Sequence, residues 1–446
     1  MKSLLKKMLS GNKISVAKIS SGTLLGQVIT VVTLPLITRI YGAEIIGIWT
    51  LLNSAAMIIM SFSDLGMTNA IMLEKKEEIE DTYKVITSIV AVISVIASFV
   101  ITVYYTVFNN VMGINPAVLF LIVVAIIFTT QQIQVCYTWL NRNADYNVLM
   151  KNPIIRNGLY SVIAIILGLL GMNKSGYFIG QIIGLLITLI HMKRHLPKSF
   201  FTLNCSIYKD TFARNQRFIK YQMPTNIISN FKNQIPILLI QGIWGTEILG
   251  YYGVTVRMLQ IPGALLASAV GRVFFYTTSL MKREGKEIGY YVYNNLIKGM
   301  KIVFIPMVFL MAFGDIIVIV FLGVEWKLAG EFVRILTLQY FFMFLMTTVH
   351  GLSITLEKQN YAMISCGLQI IGYALGAAIG KYIFDSLYYA LIFMSGFFIT
   401  INITYFSALF KVMNIPRKPY VIKALLSIFS IVGLSFVFRY IFELLC

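Results

Sequence analysis

The chain has 446 residues, of which 58% are hydrophobic and only 12% are charged, whereas soluble domains average roughly 25% charged residues. This composition excludes a water-soluble protein and indicates a chain that lies mostly in lipid. Its 37 Lys and Arg outnumber its 18 Asp and Glu, which gives a formal net charge of +19. In a membrane protein with many spans such an excess normally lies on cytoplasmic loops, so nucleic acid is not the expected partner.

Hydropathy predicts a succession of membrane-spanning helices. About 20 apolar residues are needed for one helical span, and the chain offers thirteen such windows separated by charged or turn-forming residues. The windows are continuously apolar rather than alternating, which favours helices over a β-barrel. They cover residues 14–40, 43–70, 83–108, 115–141, 150–171, 174–193, 218–243, 247–280, 296–322, 328–355, 361–383, 386–412 and 419–445.

The distribution of Lys and Arg predicts the orientation of these spans. With a cytoplasmic N-terminus, 28 of the 37 basic residues fall in inside segments, 5 fall outside and 4 lie within spans. The positive-inside rule therefore favours a cytoplasmic N-terminus. Residues 1–13 carry leucines on one helical face and lysines around it, which predicts an amphipathic segment on the inner leaflet rather than a cleaved signal peptide.

An internal repeat predicts two similar halves. The stretch Tyr41-Gly42-Ala43-Glu44-Ile45-Ile46-Gly47 reappears 203 residues later as Trp244-Gly245-Thr246-Glu247-Ile248-Leu249-Gly250. Both copies join an odd span to an even one on the outer side, so the halves share an orientation, as in parallel repeats. The alternative is a chance recurrence of a common turn followed by a helix start. The predicted domains are an N-terminal segment 1–13, six-helix lobes 14–194 and 218–412, a cytoplasmic linker 195–217 and an appended span 413–446.

Small residues recur at every fourth position in three spans, as in Gly176, Gly180 and Gly184 of the sixth. The other two sets are Gly263, Ala267 and Gly271, and Gly372, Gly376 and Gly380. This spacing lets helix backbones approach closely. Packing is the simpler interpretation, and sliding contacts in a moving bundle are the alternative.

Charged residues inside spans are the best indicators of a substrate path, because each costs about 2.5–3.5 kcal/mol to insert and so normally faces water or a partner. Four basic residues qualify, all in the second half: Lys232, Arg257, Arg272 and Arg334. Lys232 and Arg257 are predicted near mid-depth. Snorkelling to the membrane surface is an alternative for Arg272 and Arg334. Cations of this kind suit phosphate groups.

Uncharged polar residues dominate the spans of the first half, and the interpreted substrate contacts there are Gln27, Asn53, Gln131 and Gln134. Amides can both donate and accept hydrogen bonds, which suits sugar hydroxyls, although hydrogen bonds between helices explain them equally well. Asp64 is the one acidic residue well inside a first-half span and is the predicted ion-coupling residue. No metal site or cofactor is predicted, since the four cysteines lie far apart without a Cys-x-x-Cys pair.

Two absences in the sequence argue against an enzyme and against ATP as the energy source. The predicted outside loops are too short for an extracytoplasmic catalytic domain. No Gly-x-x-x-x-Gly-Lys-Ser/Thr phosphate loop occurs, so transport is expected to depend on an ion gradient.

Residues 35–47, PLITRIYGAEIIG, followed by Asp64-Leu65-Gly66, resemble the opening of the Wzx-type polysaccharide repeat-unit flippases. These O-antigen or capsule exporters belong to the multidrug/oligosaccharidyl-lipid/polysaccharide (MOP) exporter superfamily. The resemblance covers about residues 14–140 in detail and residues 236–280 more loosely. It identifies the superfamily better than the substrate.

The resemblance implies an all-α polytopic fold of 12–14 membrane helices, with two six-helix lobes in a MATE-like V and one appended C-terminal helix. It also implies a bacterial cytoplasmic-membrane flippase that carries an undecaprenyl-pyrophosphate-linked oligosaccharide outward by alternating access. The implied partners are this glycan, membrane lipids, a coupling ion (H⁺ or Na⁺) and the polysaccharide polymerase machinery. The family's cationic lumen matches the four basic residues by residue type and depth.

Three other functions compete with this interpretation. A MATE-type multidrug antiporter is the main alternative, but cationic drugs would favour buried carboxylates over buried cations. A polymerase or ligase of the same glycan pathways would need a larger outside loop. A major-facilitator sugar transporter usually carries a Gly- and Arg-rich turn between spans 2 and 3, where this chain has Glu74-Lys-Lys-Glu-Glu-Ile-Glu80.

Overall fold

The computed structural model describes the backbone of residues 2–108, 114–197, 201–263 and 268–445, and in these ranges all side chains except 2–18, 20, 262, 268, 269 and 272. This part of the chain is helical and contains no strand. The predicted all-α fold is therefore confirmed.

Fifteen α-helices follow one another along the described ranges, with short 3₁₀ or π turns between some of them. They are α1 (Lys2–Ser63), α2 (Ile79–Phe108), α3 (Pro116–Arg142), α4 (Tyr146–Leu169), α5 (Gly176–Lys193), α6 (Cys205–Arg217), α7 (Met223–Trp244), α8 (Thr246–Pro262), α9 (Ser268–Arg283), α10 (Gly289–Leu322), α11 (Lys327–Thr348), α12 (Leu352–Thr355), α13 (Gln359–Ala378), α14 (Leu387–Val412) and α15 (Arg417–Leu445).

Ten helical segments of the described chain are long and apolar enough to cross a membrane, and they include α2 to α5, α10, α11 and α13 to α15. The tenth, Ser21–Ser63 of α1, has 43 residues, which at about 1.5 Å per residue is twice the thickness of a bilayer core. It accommodates the first two predicted spans. The seventh and eighth predicted spans fall on α7 and on α8 with α9, which are more polar or shorter helices.

Gly42 and Gly245, the equivalent glycines of the internal repeat, have the same unusual backbone conformation. Gly42 breaks α1 with φ 67° and ψ −180°, and Gly245 separates α7 from α8 with φ 86° and ψ −177°. Only glycine adopts this combination without strain. The two copies of the motif therefore form the same turn between two spans, which supports duplication over chance recurrence.

Contacts between residues divide the chain into two compact units, Met1–Gln234 and Ile235–Cys446. The division falls within α7, whereas the sequence predicted a linker at 195–217. Most of that linker forms the helix α6, which packs on α2 of the first unit. Asn215 of α6 is buried and donates a hydrogen bond from Nδ2 to Glu74 Oε1 at 2.6 Å.

In the first unit, glycines bring helices close together. A Cβ added to Gly180 or Gly184 of α5 would lie 2.9 Å from backbone atoms of Ala164 and Arg156 on α4. Gly26 of α1 meets Pro153 of α4 in the same way, at 2.8 Å. These contacts confirm the packing interpretation of the small-residue spacing in α5.

In the second unit, α10, α11, α13, α14 and α15 enclose a large apolar core. A Cβ on Gly376 of α13 would lie 2.5 Å from the backbone nitrogen of Met394 on α14. Gly271 of α9 meets the carbonyl oxygen of Thr347 on α11, while Gly263 has open space around it. Within the second unit the small residues therefore serve packing in α13 and at Gly271 of α9, while the predicted Ala267 lies outside the described residues.

Candidate functional site

Lys232 lies near the middle of α7, and Arg257 lies five residues before the end of α8. Lys232 is nine residues from the start of α7, and Arg257 is eleven residues from the start of α8. At about 1.5 Å per residue, each lies roughly 16–20 Å along its helix from the turn at Gly245. Both side chains are half-buried. That both cations lie at mid-depth in the membrane stays a prediction.

Lys232 makes no hydrogen bond or ion pair with any residue that the structure describes. An ammonium group at this depth costs several kcal/mol unless water or an anion solvates it. The helix around it is unusually polar, with Asn226, Asn230, Asn233 and Gln234 in the same four turns. This stretch of α7 is therefore suited to a wet or ligand-binding environment rather than to lipid.

Arg272 lies on α9, but its side chain lies outside the described residues. Arg334 of α11 is described fully and is ion-paired. Its Nε donates to the carbonyl oxygen of Met311 at 3.0 Å, and its Nη1 lies 3.6 Å from Asp315 Oδ2. Arg334 is thus not an isolated cation, unlike Lys232.

Asp315 of α10 joins two arginines. Its Oδ1 accepts a hydrogen bond from Arg439 Nη1 at 3.1 Å, and its Oδ2 faces Arg334. Arg439 also donates from Nε to Glu443 at 2.6 Å. Asp315 is 7% exposed. Its two ion pairs, with Arg334 and Arg439, therefore link α10, α11 and α15 with little access to water.

The four amides predicted to contact sugar differ in exposure. Gln131 is buried, Gln27 and Asn53 are half-buried, and Gln134 is exposed. None of the four side chains forms a hydrogen bond with another residue in the described ranges. Their neighbour Gln132 is the one that accepts a hydrogen bond between helices, from Thr87. Hydrogen bonding between helices therefore does not account for the predicted four, and their role as glycan contacts stays a prediction.

Asp64 caps the turn that follows α1. Its Oδ1 accepts a hydrogen bond from the backbone N–H of Gly66 at 2.9 Å, and its Oδ2 accepts one from Thr68 at 3.1 Å. The residue is 5% exposed. This geometry gives Asp64 a structural role that the sequence did not indicate, and its predicted role in ion coupling stays a prediction.

Arg156 corrects the predicted charge distribution of the first half. It is one of the 28 basic residues predicted to lie in inside segments, but it lies ten residues into α4. It forms no hydrogen bond or ion pair within the described part of the chain. One turn earlier, Asn152 is 7% exposed with both side-chain polar atoms unpaired. The first-half helices therefore do carry a cation.

The sequence-based predictions do not include two acidic residues that lie in or next to predicted spans. Asp315 and Glu331 lie inside or at the edge of predicted spans, yet the candidate residues predicted in the second half are all basic. The signal was available, because an intramembrane carboxylate costs as much as an intramembrane cation and needs a partner. What the sequence could not give was the partner, since Asp315 and Arg439 are 124 residues apart.

Comparisons with known proteins extend these observations. A sequence profile of the family described as polysaccharide biosynthesis protein matches residues 23–331. The succinoglycan biosynthesis transport protein ExoT of Rhizobium meliloti (strain 1021) is 24% identical over 315 residues. This match covers 69% of this chain and 62% of ExoT, so the chain spans less than two thirds of that relative's length.

Two solved structures have a similar fold. The lipid II flippase MurJ in an inward closed conformation matches with a TM-score of 0.68 and 14% identity, over 97% of this chain and 100% of MurJ. An inward-facing multidrug resistance MATE family transporter of the MOP superfamily matches with a TM-score of 0.53 and 14% identity, over 93% and 95%. At this level of identity the likeness shows the fold, and it confirms the predicted MATE-like fold class.

Proposed function

Because the chain belongs to the polysaccharide biosynthesis protein family, we propose that it flips a lipid-linked glycan from the inner to the outer leaflet of the bacterial cytoplasmic membrane. The proposed cargo is an oligosaccharide repeat unit on undecaprenyl pyrophosphate, for surface polysaccharide such as O-antigen or capsule. The chain acts as a transporter and not as an enzyme. Its multi-pass helices and its similarity to a succinoglycan transport protein support this assignment.

The observation that carries the proposal is the cation Lys232 near the middle of α7, with Arg257 of α8 proposed as a second phosphate contact. A diphosphate that leaves water loses hydration worth many kcal/mol, and positive groups already held in place can offset that loss. Lys232 has no partner among the described residues, so its charge is available to a ligand. Arg257 lies about 18 Å along α8 from Gly245. Arg272 is the proposed contact at the cytoplasmic mouth.

The charges also weigh against the alternative of a MATE-type drug antiporter. A cationic drug would need an available carboxylate within the membrane. Among the described residues, two charged side chains fall in the buried class, Asp64 and Asp315. Asp64 accepts two backbone hydrogen bonds and Asp315 is paired with two arginines. Both buried carboxylates are therefore already engaged, whereas Lys232 is not.

The energy source in this proposal is an ion gradient, with H⁺ or Na⁺ as the coupling ion. The chain carries no Walker-type phosphate loop. The polysaccharide polymerase machinery is a proposed downstream partner, because the flipped repeat unit must be joined to others on the outer side.

Alanine substitutions in the two mid-depth cations test the proposal. Each lost charge–phosphate hydrogen bond is worth about 1.5–3 kcal/mol, so we expect Lys232→Ala or Arg257→Ala to reduce glycan export by about tenfold to a hundredfold. Arg272→Ala should be milder. The measurement is surface glycan in a strain that lacks its own repeat-unit flippase, at matched amounts of protein in the membrane.

Lys174→Ala is the matched control, since Lys174 is an exposed lysine in a predicted outside loop, and it should export normally. Lys232→Arg keeps the positive charge and should retain most of the activity. Full export by the Lys232→Ala, Arg257→Ala double variant would refute the cationic site and favour the drug antiporter.

A further inference from the structure

A cleft in the second unit has no role in the proposed transport step. It has a volume of about 530 Å³ and lies between α11, α14 and α15, with Met311 of α10 at its edge. It exists because α15 packs chiefly along α10 and touches α14 less. The cleft is within the size range of small-molecule sites, which is about 300–1,000 Å³.

Two opposite charges line one wall of the cleft without neutralising each other. Glu331 and Arg334 are three residues apart on α11, yet no ion pair within 4.0 Å joins them. Arg334 turns to Asp315, and Glu331 accepts a hydrogen bond from the Tyr388 hydroxyl at 2.5 Å. The wall therefore presents a separated positive and negative group.

Both groups retain free hydrogen-bonding capacity within the described residues. The Nη2 of Arg334 has no hydrogen-bond partner among the described residues, while Nε donates to the carbonyl oxygen of Met311 and Nη1 faces Asp315. The Oε1 of Glu331 is likewise without a partner, since Tyr388 binds Oε2. The Arg334 side chain is 33% exposed. A guanidinium that is still accessible suits a phosphate, and an open carboxylate oxygen suits an ammonium group.

The rest of the cleft is apolar and extends away from these charges. Its walls include Leu338, Ile392, Ile399 and Phe436. Glu331 and Arg334 lie about 6 and 11 Å from the start of α11, and Leu338 and Ile399 lie about 17 and 18 Å from the starts of α11 and α14. A ligand would thus place its polar end near the membrane surface and its apolar end deeper in the bilayer.

Gly396 of α14 keeps the middle of the cleft open. It is a lining residue, and a Cβ added there would meet no atom within 4 Å. Phe436 and Ile392 are 65% and 49% exposed, so the cleft opens on the apolar outer surface of the unit. The ligand can therefore enter from the lipid.

We propose that this cleft binds one zwitterionic phospholipid, with its phosphate on Arg334, its primary ammonium on Glu331 and one acyl chain along the Leu338–Ile399–Phe436 wall. The charge pattern selects the headgroup. A purely anionic lipid would bring its phosphate to Arg334 but leave Glu331 facing a negative or neutral group. The occupant is a resident membrane lipid of the predicted outer leaflet and not the transported glycan, and the proposal gives Arg334 this role instead of a contact with cargo.

Lipid retention by the purified full-length chain tests the proposal without any transport measurement. The protein is washed in detergent with an equimolar mixture of phosphatidylethanolamine and phosphatidylglycerol, and the retained lipid is quantified by mass spectrometry. We expect about one phosphatidylethanolamine per chain and at least a tenfold preference for it over phosphatidylglycerol, because a hydrogen bond to a charged group has about this effect.

Three variants separate charge from shape. Glu331→Gln should remove the preference for phosphatidylethanolamine, and Arg334→Gln should weaken the retention of both lipids about tenfold. Gly396→Phe should fill the cleft and abolish retention while leaving every ion pair intact. The controls are Glu287→Gln, an exposed loop carboxylate, and Gly433→Phe, a glycine of α15 with open space outside the cleft, and both should bind like the original chain.

Equal retention of the two lipids by the original chain would overturn the proposal. So would normal phosphatidylethanolamine retention by a folded Gly396→Phe protein. Displacement of the lipid by an isoprenoid pyrophosphate at equal concentration would assign the cleft to the cargo and overturn it as well. None of these outcomes depends on whether Lys232 and Arg257 carry glycan export.

Discussion

At the scale of single residues, the chain distinguishes buried charges that stabilise its structure from one that is available to a ligand. Asp64 and Asp315 are buried and engaged, whereas Lys232 lies in a polar helix without a partner among the described residues. A buried charge that is already satisfied adds little to ligand binding. We therefore expect substitutions at Asp64 to lower the stability of the protein, and substitutions at Lys232 to reduce glycan export.

Asp64→Ala should destabilise the protein. The substitution leaves the backbone N–H groups of Gly66 and Thr68 without their acceptor, and an unsatisfied buried donor costs about 1–3 kcal/mol. Asp64→Asn retains one acceptor oxygen and should cost about half as much. The measurement is thermal unfolding of the purified protein, with Asp81→Ala at an exposed position on α2 as the control.

The same variants examine the predicted coupling role of Asp64. Flipping is measured in proteoliposomes with an imposed ion gradient and no ATP. A stable Asp64→Asn protein that no longer responds to the gradient would assign coupling to Asp64, and an unchanged response would limit the residue to capping. Normal stability of Asp64→Ala would contradict the capping role.

At the scale of helices, the last span is held to the second unit by contacts that the hydropathy of α15 does not predict. Arg439 of α15 pairs with Asp315 of α10 at 3.1 Å. Phe438 stacks on Phe309, and Phe442 meets Phe313 edge-on, with ring centroids 6.1 and 5.6 Å apart. A mostly exposed helix thus has one polar and two aromatic attachments to α10.

Asp315→Ala should loosen this attachment. It leaves Arg334 and Arg439 without their shared carboxylate, and the loss of one partner of a buried pair costs about 3–5 kcal/mol, with the lower end expected for partly exposed arginines. Thermal unfolding of the purified protein is the measurement. Glu443→Gln is the matched control, because Glu443 is 59% exposed and such surface pairs contribute about 1 kcal/mol or less. Equal effects of the two substitutions would contradict the special role of Asp315.

At the scale of the whole molecule, orientation in the membrane rests on the distribution of charge. The prediction places 28 basic residues in inside segments and 5 outside. The outward direction of the proposed flipping depends on this orientation. The helix α6 is a suitable reporter, since Lys209 is exposed on it.

Cysteine labelling tests the orientation. In a background without Cys205, Cys366 and Cys446, Lys209→Cys should react with an impermeant thiol reagent only after the cells are permeabilised. Lys174→Cys, in a predicted outside loop, should react in intact cells and serves as the positive control. Cys205 must be removed because it is itself exposed near the start of α6. Reaction of Lys209→Cys in intact cells would contradict the predicted orientation.

Most of the fold could be predicted from the sequence, for a physical reason that is specific to membranes. Backbone groups in lipid must find partners within their own helix, so continuous apolar length is enough to locate a span. The windows at 386–412 and 419–445, for example, correspond to α14 (Leu387–Val412) and α15 (Arg417–Leu445). The repeated turn at Gly42 and Gly245 could also be predicted from the sequence, because only glycine tolerates the backbone conformation that both positions adopt.

The sequence by itself therefore determined the all-helical membrane fold and the repeated turn, since each depends on local composition. Tertiary structure alone decided which charges are paired. Asp315 meets Arg439 across 124 residues, and Glu331 faces Tyr388 across 57. It also revealed the open space at Gly396. Such pairings and cavities depend on how separate helices pack, and no periodicity within one helix encodes its neighbour.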